Sequence, residues 1–148
     1  MRRYLLVLPF MLACAKADTP PADSAAMAAA PAALTEVDVA GTWSGTAMLE
    51  GTDSVIANWS NMCSAGTCRF TTTQSPKDTV QHTYVLEADS MKGTSAPYAD
   101  PMLKGAMVVD YWVARFSAGQ VTGTGRLTLA DKPDSVLMRY RFTGTKGM

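Results

Sequence analysis

The sequence is short of the side chains that most chemistry needs. It contains one histidine, His82, and three cysteines, Cys14, Cys63 and Cys68. A structural zinc site takes four N or S ligands, and Cys63 and Cys68 stand in a C-x4-C arrangement rather than C-x2-C, so no metal site is assigned. No serine or cysteine lies in a recognisable nucleophile elbow. Asp110 and Glu87 are the nearest thing to paired carboxylates, and opposed charges on strands are more often solvated or salt-bridged. No catalytic residue and no cofactor are therefore assigned, and the chain is not read as an enzyme. Neither sign of charge dominates, since 13 Lys and Arg balance 13 Asp and Glu. That excludes the basic footprint of a nucleic-acid binder. One long apolar run exists, Tyr4 to Ala13, and its ten residues fall short of the roughly 20 that span a bilayer.

What is present at the N-terminus is an address. Arg2-Arg3 forms a positive n-region, the apolar run follows, and residues 1–13 read as a signal peptide. Met11-Leu12-Ala13-Cys14 resembles the lipobox of bacterial lipoproteins, with Met11 where the family prefers leucine. The resemblance implies that Cys14 becomes the lipidated N-terminus of the mature chain. An ordinary secretory signal with an incidental cysteine is the less favoured reading. Lipoproteins with aspartate after that cysteine tend to stay at the inner membrane, so Ala15 implies a lipid-anchored envelope protein on the outer membrane, facing the periplasm. Three acyl chains would hold it far more firmly than the single chain that binds only marginally. Without Arg2 and Arg3 the mature chain has 11 basic and 13 acidic residues, about −2.

Residues 14–36 are rich in alanine and proline, with few large apolar side chains. Such a segment cannot bury enough surface to offset its ordering entropy and reads as a tether, stiffened locally by Pro20-Pro21 and Pro31.

Residues 37–148 read as one all-β domain. Its 112 residues suffice for a single core. The clearest strand is Gln120 to Ala130, where Val121, Gly123, Gly125, Leu127 and Leu129 alternate with polar residues. A period of two sends alternate side chains to opposite faces. Val136, Met138, Tyr140 and Phe142 repeat the pattern after a turn at Asp131 to Asp134. Met107 to Phe116 is apolar on both faces apart from Asp110 and Arg115. Upstream strands are expected over Val39 to Glu50, Ser54 to Asn61, Arg69 to Gln74 and Thr79 to Ala88. Met91 to Lys104, carrying Gly93, Pro97 and Pro101, reads as a long loop and a candidate lid. Short connections join antiparallel neighbours. The predicted fold is therefore an antiparallel meander closing into a small up-and-down β-barrel, with a β-sandwich as the alternative.

Gly41-Thr42-Trp43 resembles the Gly-x-Trp signature of the calycins, the superfamily of lipocalins, fatty-acid-binding proteins and avidins. The resemblance implies an arginine of the last strand, Arg139 or Arg141, packed over Trp43. It also implies a barrel mouth that takes a small apolar ligand. Trp43, Trp59, His82, Tyr84, Tyr111 and Trp112 are the candidate ligand-binding residues, with core packing as the plainer role for each. Cys63 and Cys68 are expected to form a disulfide across a hairpin. The rival functional reading is a structural or interaction module with a filled core, meeting another envelope protein through a strand edge or loop.

Overall fold

The computed structural model describes residues 33–147. Cys14, the signal peptide and most of the expected tether lie outside the described residues. The chain forms one helical turn, α1 (Glu36–Val39), then nine strands: β1 (Gly41–Leu49), β2 (Val55–Ser64), β3 (Thr67–Thr72), β4 (Val80–Glu87), β5 (Ser90–Ser95), β6 (Tyr98–Asp100), β7 (Ala106–Ser117), β8 (Gln120–Leu129) and β9 (Lys132–Lys146).

Every pairing is antiparallel. Strands β1 to β5 neighbour one another in order, β5 pairs with β7, and β8 and β9 follow. β9 then pairs back to β1, with Trp43 opposite Lys146 and Leu49 opposite Tyr140. The result is a closed eight-stranded up-and-down barrel, so the sandwich alternative falls away. Closure removes the exposed sheet edges that an open meander would leave. β6 is an extra strand on the edge of β7 already used by β5, pairing Tyr98 with Val108.

The reading of Met91 to Lys104 as a long loop is corrected. Met91 to Ser95 hydrogen-bond to β4 on one side and β7 on the other. Gly93 is required there: a Cβ would stand 2.1 Å from Trp112 Cζ2, so only glycine lets the indole lie flat on the strand. The connection shrinks to Pro101–Gly105. Asp100 holds it, its carboxylate accepting the N–H groups of Met102 (2.8 Å) and Leu103 (3.1 Å). The turn before β9 is also tighter than expected. Lys132 and Pro133 already belong to the strand, where register shifts around Thr128 accommodate a residue that offers no N–H.

α1 closes one end of the barrel. Val39, expected on the first strand, is its last residue and is fully buried. Its carbonyl accepts the Trp43 indole N–H at 2.8 Å, and Phe116 packs edge-on against Trp43 with ring centroids 4.9 Å apart. Thr35 starts the turn, its N–H and hydroxyl both donating to Asp38. Leu34 donates to the Ala88 carbonyl at 2.6 Å and packs on the core. Residues 34–36, within the span read as tether, therefore pack against the barrel. The Cys63–Cys68 disulfide joins directly paired residues of β2 and β3 and is buried.

Candidate functional site

The barrel interior is not filled. A cavity of about 430 Å³ runs from Trp43 and Phe116 near the closed end to Gln74, Asp78 and Met102 in the loops of the other end. Strand alternation decides who faces it. Of the six candidate residues, Trp43, Trp59, His82 and Trp112 line the cavity. Tyr84 also points inward but lies toward the closed end, where its hydroxyl donates to the Glu36 carboxylate. Tyr111 is misassigned. It falls between Asp110 and Trp112, which are both buried, so the same period of two sends it outward. There the Arg126 guanidinium lies 5.2 Å from its ring centroid.

The cation over Trp43 differs from the calycin expectation as well. Lys146 occupies that place, its Nζ 5.4 Å from the ring centroid. Arg141 instead reaches Asp53 (2.7 Å) and the Thr52 carbonyl (2.9 Å) at the opposite end. The register explains the exchange, because Trp43 pairs with Lys146 while Arg141 pairs with Met48.

His82 sits between two aromatic rings. Phe70 stacks on it with centroids 5.4 Å apart, and Trp112 donates its indole N–H to His82 Nδ1 at 2.7 Å. Burial pushes the imidazole down to about 4, so it is neutral at neutral pH. With Nδ1 accepting, the ring proton resides on Nε2. His82 Nε2, Trp59 Nε1 and Asn61 Oδ1, all on cavity-lining residues, are buried without a hydrogen-bond partner. Each such orphan costs about 1–3 kcal/mol.

Near the open end lies a second polar group. Asp110 is buried on β7, and the Tyr140 hydroxyl donates to its two carboxylate oxygens at 2.7 and 2.8 Å. The Asp110 backbone N–H donates to Ser95 Oγ at 2.9 Å. Burial raises the carboxyl to about 7, with Asp100 adding to the rise and the Tyr140 hydrogen bond working against it. Burial also raises the Tyr98 phenol, as do the nearby Asp110 and Asp100 carboxylates. Glu87 is not a partner of Asp110; it pairs with Lys92 on the surface.

Sequence reasoning missed Asp110, Tyr140, Tyr98, Asn61 and Phe70 as cavity residues. One signal was available: Asp110 shares its strand parity with Trp112 and Ala114, both inward. Among the described residues, no group of three or more His, Cys, Asp or Glu side chains is placed to hold a metal ion. Eight aromatic rings, two buried carboxylates and a neutral imidazole around one cavity suit noncovalent binding of a small molecule. No family model, curated protein or solved structure matches this chain.

Proposed function

We propose that the barrel is a small-molecule carrier of the cell envelope, holding a ligand with a largely apolar body in its interior and tethered to the outer membrane through acylated Cys14. The observation that carries the binding reading is the cavity. Its volume of about 430 Å³ lies within the roughly 300–1,000 Å³ of ordinary ligand pockets, whereas a packed core leaves few voids larger than a water molecule. The unpartnered polar atoms of His82, Trp59 and Asn61 add support, since a ligand can satisfy them. The tether reading rests on the order of residues 1–14. It also suits the barrel, because residues 34–36 join it at the end closed by α1, opposite the open loops.

Native mass spectrometry tests the binding reading. The protein would be a soluble Cys14→Ser form purified from a bacterial periplasm without detergent. A reproducible added mass that extracts into organic solvent supports the carrier. A clean apo mass with no uptake from a lipid extract returns the argument to the interaction module. The same substitution tests the anchor, because a Cys14→Ser protein that stays with the membranes is not held there by acylation.

A further inference from the structure

The cavity has an electrostatic sign. Among the described residues its charged lining side chains are Asp78, Asp100 and Asp110, and no lysine or arginine lines it. The one basic group there, His82, is held neutral, since an imidazolium could not accept the Trp112 N–H at Nδ1. Asp110 and Asp100 are both buried. The two Asp110 oxygens share a single donor, the Tyr140 hydroxyl, which leaves most of their accepting capacity unused. A buried carboxylate with so little compensation favours a cation beside it. Aromatic faces are the other surface that attracts positive charge, and Tyr98, Trp112, Tyr140 and Phe142 line the same cavity.

We infer that the ligand is an organic cation, an amine or quaternary ammonium on an apolar body, with its positive head against Asp110 among the surrounding aromatic rings. The inference rests on the cavity being a ligand site. It excludes long-chain carboxylates, whose head group would meet two buried aspartates with no cation to answer it.

The proposal carries a proton linkage. The titratable groups facing Asp110 are Tyr140 from β9, and Tyr98 and Asp100 from β6. β8 offers the apolar Leu127 opposite it, and β5 the non-titrating hydroxyl of Ser95. A cation therefore displaces the Asp110 proton, whereas a neutral ligand does not.

The test uses the soluble Cys14→Ser chain and three probes of one chain length: octyltrimethylammonium, octanol and octanoate. Binding is followed by the fluorescence of the cavity tryptophans at several pH values on both sides of neutrality. At alkaline pH the ammonium should bind at least about tenfold tighter than the alcohol, and octanoate should bind weakest. The ammonium preference should fade as pH falls below about 7, by up to about tenfold per pH unit. Asp110→Asn should bring the ammonium to the alcohol's affinity and remove the pH slope. If that variant does not fold, the slope of the unsubstituted cavity decides. Equal binding of ammonium and alcohol, tighter octanoate, or a preference that ignores pH overturns the inference while leaving the carrier reading intact. Failure of all three probes removes both.

Discussion

Trp112 donates its indole N–H to His82 Nδ1 over 2.7 Å, reaching from β7 to β4 above the glycine of the intervening β5. The contact fixes the imidazole tautomer, and burial keeps the ring neutral. In the folded state the imidazole is pushed down to about 4, against an ordinary value of 6.5. The native state then binds fewer protons than the unfolded chain between those values. The contribution of His82 is therefore intact above about 6.5 and is lost as pH falls toward 4. Relative to His82→Gln, the parent should lose on the order of 3 kcal/mol across that window. Paired denaturation curves check this, and a pH-independent difference would show that His82 is solvated.

Asp110 titrates in the opposite sense. Its carboxyl is raised from 3.8 to about 7, so the stability it contributes is fully present below 3.8 and fades as pH rises through 7. Asp110→Asn, which does not titrate, should gain on the parent over that range by roughly 2–4 kcal/mol while keeping an acceptor for Tyr140. Denaturant midpoints of the two proteins at matched pH give the answer directly.

Gly93→Ala should be costly. The new methyl would meet the Trp112 ring at 2.1 Å, in the wall of the cavity and not at its surface. Overpacking of this kind costs about 1–3 kcal/mol. A double variant with Trp112→Leu should recover part of the loss, because it removes the obstructing ring. Additive losses in thermal unfolding would mean that some other contact makes position 93 intolerant.

Reducing the Cys63–Cys68 bond should lower stability by about 2 kcal/mol, the modest value for so short a loop. The barrel should survive, since the two cysteines lie in an already paired hairpin. Far-ultraviolet circular dichroism with and without reductant, alongside the denaturation midpoint, separates weakening from collapse.

Much of the barrel was legible because alternation is a local signal. Val121, Leu127, Met138, Tyr140 and Phe142 sit on the predicted inner face because each strand has one polar side to contrast with. On β7 that contrast vanishes: apolar residues occupy both faces, so the local pattern cannot tell that Tyr111 faces outward and Asp110 inward. β5 was hidden for a different reason. Gly93, Pro97 and Pro101 signal a loop locally, and only the Trp112 ring, contributed by a strand 19 residues on, makes glycine the strand-forming choice at position 93. The cation over Trp43 was beyond local reading too, because it depends on the β1–β9 register and on no property of Lys146 itself. α1 is a single turn at the end of an alanine-rich segment, and its stability comes from docking Val39 beneath Trp43.

The pairing of β1 with β9 also governs when the interior comes into being. Trp43 must meet Lys146, so the contact that seals the barrel joins nearly the two ends of the folded domain. Closing so long a loop is entropically slow, and sheets built on such distant pairings fold in about milliseconds to seconds. A chain whose last strand has not yet been made therefore has hairpins but no enclosed space. The cavity exists only after the last strand has paired with the first, so anything held inside must enter after the whole domain has been synthesised.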